Sequence, residues 1–188
     1  AADASHGSSI GMQAGSTFKA FTLAAALDEG MPFGTRLRAP EKYTPVGFRN
    51  CDGENVGDPS ASLGNAADGE GGRSFSLVTG TRNSVHTFFL ALQKEVGLCD
   101  TVKMAAKLGT RQANGKPLEQ YPSFTLGFNA VSPLRLAAAY AAFGARGKYC
   151  EPIAIKEITD ASGKKLKVPP RKCEQASDEG VADAVNHV

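Results

Sequence analysis

The sequence predicts a mixed α/β (α+β) chain in which helices dominate and strands are few. Three observations carry this expectation. Apolar runs closed by glycine recur at 16–29, 85–97 and 131–147; one segment alone, from Ile153 to about 168, has a convincing strand and turn pattern; and residues 31–72 show no apolar period. Some five helices and two short strands follow from these patterns. Any main sheet is therefore expected to come from residues outside this chain, which supplies mainly the helical part of a domain.

The elements can be justified in order. Residues 16–29 are apolar on most faces, as in a central helix, with Gly30 as a stop and Pro32 just beyond. Residues 31–72 are rich in Gly, Pro, Asn and Asp, above all in "NCDGENVGDPSASLGNAADGEGG", and read as a long surface loop. Loops of that length are uncommon in compact domains and often functional. From Ser74 the pattern is helical in two pieces, "SFSLVTGT" and "VHTFFLALQKEVG", with "RNS" at the joint, and a short helix follows over 100–108. After a polar connector, "VSPLRLAAAYAAFGARG" predicts another buried helix, with Ser132 as N-cap candidate, Pro133 in the first turn and Gly144 or Gly147 at the end. Ile153, Ile155, Ile158 and "DASGKKLKV" predict an edge hairpin turning near Ser162 and Gly163. Asp178 is placed to cap a last helix carrying Val181, Ala184, Val185 and Val188 on one face.

Composition narrows the function classes. With 188 residues, 41% hydrophobic and 21% charged, the chain has the make-up of a globular protein of about one domain. A net charge of +2 from interspersed basic and acidic residues offers no basic stripe, so nucleic acid is not an expected partner. The apolar runs around Phe18 to Leu27 and Leu134 to Phe143 are shorter than the roughly 18 residues a spanning helix needs. Membrane attachment is thus expected only through residues outside this chain. The opening "AADASHGSSIG" has no basic segment followed by an apolar one and no initiator methionine, the pattern of a chain processed or cut from something longer.

Cys51, Cys99, Cys150 and Cys173 contain no CxxC pair, which argues against zinc and favours disulfides over free thiols. Of the three possible connectivities, Cys51 with Cys99 and Cys150 with Cys173 is preferred because each pair flanks one of the segments above. Disulfides imply an oxidising, extracytoplasmic compartment. The acidic residues Asp52, Glu54, Asp58, Asp68 and Glu70 lack the spacing of a calcium loop, and His6, His86 and His187 form no helical pair. No metal and no cofactor is expected. Phe88, Phe89, Tyr140 and Phe143 are read as core.

The chemistry-bearing feature is "QAGSTFKAFTLAAALDEG". Ser16 and Lys19 stand at i and i+3, which on a helix places both side chains on one face. A serine hydroxyl becomes a useful nucleophile when a base takes its proton, and a lysine can be that base if burial or nearby positive charge keeps it neutral. The apolar neighbours Phe18, Phe21 and Leu23 provide burial, and the helix N-terminus adds positive potential. Equally, Ser16 could cap the helix while Lys19 reaches solvent. Thirteen serines and twelve lysines yield about one S-x-x-K by chance, and a second one stands at Ser162 and Lys165. Spacing leaves both readings open.

"AGSTFKAFTLAAALDEG", then "NSVHTFF", then "LGFNAVSPLRLAAAYAAFGARGKYCEP" resemble the penicillin-binding transpeptidase domain of high-molecular-weight bacterial cell-wall enzymes, within the active-site-serine penicillin-recognising family. The likeness runs from about Met12 to the end. It implies a β-lactamase/transpeptidase-like fold, with residues 1–188 a partial transpeptidase domain, and a protein of the cell envelope, membrane-anchored at full length. It also implies a D,D-transpeptidase in which Ser16 is the nucleophile attacking a peptidoglycan stem peptide ending in D-Ala-D-Ala, Lys19 the general base and Ser84 a proton relay. Penicillin and other β-lactams would acylate the same serine. The Ser16 backbone N–H and one from the K-T-G strand would form the oxyanion hole. Asn129 in "LGFN" resembles a position near the substrate groove, although a turn-forming asparagine accounts for it as well.

Two departures qualify the resemblance. Ser84-Val85-His86 carries histidine where the S-x-N motif has asparagine, and histidine lacks the paired carbonyl and amide and can gain charge near neutral pH. No K-T-G, K-S-G or H-T-G occurs in the chain, so one wall of the site is expected to be absent and the chain as it stands inactive. The alternatives are a D,D-carboxypeptidase, a β-lactamase, or a non-catalytic peptidoglycan-binding or β-lactam-sensing module of the same fold.

Overall fold

A computed structural model describes residues 11–188. His6 and nearly all of the opening segment lie outside that range. Six α-helices are found among the described residues: α1 (Lys19–Asp28), α2 (Leu77–Arg82), α3 (His86–Val96), α4 (Leu98–Lys107), α5 (Pro133–Gly144) and α6 (Glu179–His187). Ten short strands pair antiparallel, two by two: β1 (Met12–Gln13) with β6 (Ala130–Val131), β2 (Arg36–Ala39) with β5 (Arg73–Ser76), β3 (Lys42–Tyr43) with β4 (Leu63–Gly64), β7 (Lys148–Cys150) with β10 (Cys173–Gln175), and β8 (Ile158–Thr159) with β9 (Lys165–Leu166). The mixed α/β expectation, helices dominant, is met.

Helix α1 is the centre, as its nearly all-apolar sequence implies. Phe21, Leu23, Ala24, Ala25 and Ala26 are all 3% exposed or less, and α3, α4 and α6 pack around them. Aromatic rings continue this core on both sides. Phe18 meets Phe21 and Phe124 at 5.2 Å, and Phe88 meets Phe89 edge to face at 5.4 Å. Burying side chains of this size supplies about 1.5–3 kcal/mol each, the main force holding α1 against its neighbours.

The structure revises three local expectations. Residues 74–76 are not helical: Arg73–Ser76 is a strand paired with Arg36–Ala39, with Leu37 opposite Phe75, and the helix starts at Leu77 behind a Ser76 capping box. Segment 31–72 is accordingly not one surface loop. It carries β2, β3 and β4 and sends Ala39 and Phe48 into the core at 0% and 1% exposure. Its sparse apolar residues hide this from any periodicity, because strand partners lie 20 or more residues apart. Helix α5 is buried on one side only, through Ala139, Ala142 and Phe143, while Leu134 and Tyr140 stay exposed. Ser132 occupies its N-cap by backbone geometry without a side-chain capping bond, and Pro133 opens the first turn.

Other expectations hold. The hairpin turns through Asp160–Gly163, with Gly163 at φ 82°. The Asp178 side chain accepts a hydrogen bond from the Gly180 N–H and caps α6, although the fully buried residue of that helix is Ala182, beside the anticipated valine face. Both disulfides form as paired above, Cys51–Cys99 tying segment 31–72 to the start of α4, and Cys150–Cys173 bridging directly opposed residues of β7 and β10.

Gly80 shows how closely α2 and α3 pack: a Cβ there would lie 2.3 Å from the Phe88 ring. Gly80→Ala is expected to destabilise the fold by about 1–3 kcal/mol through overpacking, read as a lower urea midpoint at constant slope.

Candidate active site

Ser16 lies on a 3-10 turn, Gly15–Phe18, that runs directly into α1. Gly15, at φ 60°, makes this entry possible, and its N–H donates to the Gly127 carbonyl at 3.1 Å. A Cβ at Gly127 would fall 2.1 Å from the Gly15 carbonyl oxygen, so the two glycine backbones touch. The turn bearing Gly127 is itself fixed from inside: the Thr125 N–H donates to Gln93 Oε1 at 2.8 Å and Gln93 Nε2 donates to the Pro122 carbonyl at 2.8 Å, with Gln93 fully buried on α3. Tyr140 on α5 closes the other side by donating to the Thr17 carbonyl at 2.7 Å.

One turn along, Lys19 is the first residue of α1 and only 3% exposed, whereas Ser16 is open to solvent. Lys19 Nζ lies 3.0 Å from Ser16 Oγ and 2.9 Å from Ser84 Oγ, and it donates to the Ser84 carbonyl. It also stands 5.5 Å over the Phe89 ring. Burial lowers its pKa from 10.5 to about 8, against the opposing pull of the Glu70 carboxylate. At neutral pH on the order of one molecule in ten then holds the amine uncharged, with a lone pair able to accept the Ser16 hydroxyl proton. Spacing alone had left a cap and a stray charge open. The geometry removes that alternative, since Ser16 makes no side-chain cap and Lys19 is inside.

Ser84 reaches Lys19 because of how α2 ends. The Ser84 N–H donates to the Thr81 carbonyl and the Val85 N–H to the Gly80 carbonyl, the paired bonds of a Schellman motif. That motif needs a left-handed residue at the position Ser84 holds, and its φ is 51°. Glycine would adopt this backbone at lower cost, about 1–3 kcal/mol cheaper. Serine here directs both its hydroxyl and its carbonyl at one amine.

His86 opens α3 and is partly buried. Burial first, and the Lys19 charge second, hold its pKa below the ordinary histidine value, opposed by a hydrogen bond to the Gly64 backbone and by Glu70. Burial and the lysine charge both favour the neutral ring. Asn129 is buried, at 3% exposure, and its side chain is engaged by the backbone of Glu119: it accepts from the Glu119 N–H at 2.8 Å and donates to the Glu119 carbonyl at 3.1 Å.

A cleft of about 340 Å³ opens beside the serine, lined by Ser16, Lys19, Ser84, Tyr140, Phe143 and Asn186, among others. Phe88, Phe89 and Phe143 are core residues as expected. Tyr140, read as core, is instead 41% exposed, and burial of the rest of the ring raises its hydroxyl pKa. Tyr140 and Glu70 are site residues the sequence did not mark; neither belongs to a spaced motif, Tyr140 joining through its bond to the Thr17 carbonyl and Glu70 through its charge beside Lys19.

Comparison with known proteins gives the family. A model of the penicillin binding protein transpeptidase domain matches residues 5–186. The chain belongs to this family. Penicillin-binding protein 1A of Mycolicibacterium smegmatis is 26% identical across 93% of the chain, which spans 22% of that relative. Penicillin-binding protein 1A of Aquifex aeolicus is 33% identical over half of the chain and 12% of its own length. The chain thus spans less than a quarter of the curated relatives it matches. Penicillin-binding protein A of M. tuberculosis, solved as an imipenem acyl-enzyme complex, superposes with a TM-score of 0.75 at 22% identity, covering 94% of this chain and 42% of that one. PonA1 from the same organism, solved with penicillin V, gives a TM-score of 0.70 at 24% identity, covering 93% and 46%. Those likenesses establish the β-lactamase/transpeptidase-like fold.

The electrostatic arrangement carries its own test. Glu70→Gln removes a carboxylate that raises both Lys19 and His86, so both pKa values are expected to fall, measured by NMR titration of labelled lysine and histidine side chains. Lys19→Met is expected to move His86 the opposite way, because the lysine charge lowers it.

Proposed function

We propose that this chain carries the acylation machinery of a peptidoglycan D,D-transpeptidase. The observation that supports it best is Lys19 Nζ placed within 3.0 Å of both Ser16 Oγ and Ser84 Oγ, out of solvent and with its pKa lowered to about 8. Family membership supports the reaction class, and Ser16 stands at the serine of the S-x-x-K motif in the sequence.

In this reading neutral Lys19 takes the Ser16 proton as Oγ bonds to the carbonyl carbon of the penultimate D-alanine. The carbonyl electrons move onto oxygen beside the Ser16 backbone N–H. Collapse breaks the C–N bond, and the proton passes from Lys19 through Ser84 Oγ to the departing D-alanine nitrogen. An acyl-enzyme ester remains. The amine of a second stem peptide then attacks the ester carbonyl and the C–Oγ bond breaks, the proton given up by the amine passing through Lys19 to the departing Oγ and regenerating the Ser16 hydroxyl. A β-lactam enters by the same first step, the lactam C–N bond breaking in place of the peptide bond. With water as acceptor the same site would be a D,D-carboxypeptidase. The protein would work outside the cytoplasm, consistent with its two disulfides.

His86 favours a second reading, a β-lactam-sensing or peptidoglycan-binding module. At the S-x-N asparagine position a neutral histidine offers one N–H donor and one ring-nitrogen acceptor on different edges of the ring, where a carboxamide presents its carbonyl acceptor and amide donor side by side. His86→Asn separates the two: faster turnover of a labelled stem peptide without a change in penicillin labelling assigns His86 to substrate selection.

Intact mass after incubation of the full-length protein with benzylpenicillin is expected to show one adduct, absent in Ser16→Ala. Lys19→Met is expected to slow labelling by about 10²- to 10⁴-fold, the usual worth of a positioned base. Because the neutral amine is the active form, the labelling rate should rise with pH and level off above about 8. A rate independent of pH across that range in a folded protein would remove Lys19 from the role of base.

A further inference from the structure

Helix α3 starts without a cap of its own. Val85 stands at the N-cap and has no side-chain acceptor, so the first N–H groups of the helix need partners from elsewhere. Asn65, 22 residues upstream, provides one: its Oδ1 accepts from the Thr87 N–H at 3.0 Å, and its carboxamide meets Thr87 Oγ1 at 3.2 Å through both Oδ1 and Nδ2. Thr87 is fully buried and Asn65 half-buried, so the bonds lie at the edge of the core.

Asn65 is not on a loose loop. Gly64 before it pairs with Lys42 in the β3–β4 ladder. Gly71 is pressed against the same knot, for a Cβ there would lie 2.5 Å from the Pro40 carbonyl oxygen and 2.9 Å from Asn65 Nδ2. The Cys51–Cys99 disulfide joins this segment to α4, just beyond α3.

Ser84 is thereby held from two directions. Upstream, the Schellman bonds tie it to α2. Downstream, the chain from Ser84 passes through Val85 and His86 to Thr87, where Asn65 holds it. Released on that side, a non-glycine residue at φ 51° can relax toward the extended region and carry its hydroxyl and carbonyl off Lys19.

We propose that Asn65 is a positioning residue of the acylation site, capping α3 from segment 31–72 and so fixing the left-handed Ser84 turn that grips Lys19. This rests on the acylation reading above. It gives the long Gly- and Asn-rich segment a specific role, which is to hold the serine turn of the S-x-N motif rather than to contact substrate.

The test compares second-order penicillin labelling of the full-length protein, between pH 6 and 9, for wild type, Asn65→Ala, Asn65→Asp, Ser84→Ala and the Asn65→Ala/Ser84→Ala double variant, with melting followed separately. Asn65→Ala is expected to slow labelling about tenfold or more and to raise the pH midpoint, as Lys19 loses its enclosure. Asn65→Asp keeps the acceptor oxygen and is expected to restore the rate at pH 9 to within about threefold of wild type. In the double variant, Ser84→Ala should add little to the loss already caused by Asn65→Ala, because both remove one unit. Labelling of folded Asn65→Ala at the wild-type rate and midpoint, or fully additive losses, would overturn the proposal. If Asn65→Ala does not fold, Asn65→Ser takes its place with the same expectations. Wild type that fails to label overturns the acylation reading itself, a result distinct from failure of the positioning role.

Discussion

A lysine ammonium excluded from water is the constraint around which this structure is organised. Lowering the Lys19 pKa from 10.5 to about 8 corresponds to about 3 kcal/mol of disfavoured charge, a large sum beside the total stability of a domain. The amine is tolerated because three polar atoms receive it, Ser16 Oγ, Ser84 Oγ and the Ser84 carbonyl, and because the Phe89 ring lies over it. Those acceptors match the three N–H donors of the charged form. On deprotonation one contact must reverse, and the exposed Ser16 hydroxyl is the group free to donate.

The surrounding architecture follows from that requirement. Water is kept from Lys19 by a helix buried on nearly all sides, so α1 must be central and its neighbours must carry the aromatic packing. The amine's partners must come from another element, so α2 and α3 meet at a joint aimed into the core. That joint uses an unfavourable backbone, Ser84 in the left-handed region, and such strain persists only where neighbouring bonds over-determine it. The Schellman bonds on one side and Asn65 on the other provide the over-determination. Ser16 is held differently, by Gly15 against Gly127 and by Tyr140 on the Thr17 carbonyl, which leaves its hydroxyl open to the cleft.

The histidine in the S-x-N motif takes on a different meaning in this setting. On sequence grounds it threatened the site with an extra positive charge. Burial and the proximity of Lys19 both disfavour that charge. Glu70 offsets part of both effects, which makes segment 31–72 an electrostatic as well as a mechanical component of the site.

The sequence alone determined those features that neighbours along the chain encode. Helix α1 with its serine and lysine one turn apart, the Gly97 break, the hairpin at Gly163 and the Asp178 cap all arise from periodicity, capping and turn chemistry within a few residues. The cysteine pairing was also legible, since each pair brackets a segment that folds back on itself. Tertiary structure decided the rest. Residues 73–76 became a strand because Arg36–Ala39 lies beside them, and Asn65 became a cap because Val85 could not be one. Whether Lys19 lay buried against two hydroxyls or out in solvent depended on α3 and the Ser84 turn arriving over it, 65 residues along the chain. Local pattern sets which backbone a segment prefers; burial, pKa and hydrogen-bond partner are properties of the whole packed molecule, and only its assembly assigns them.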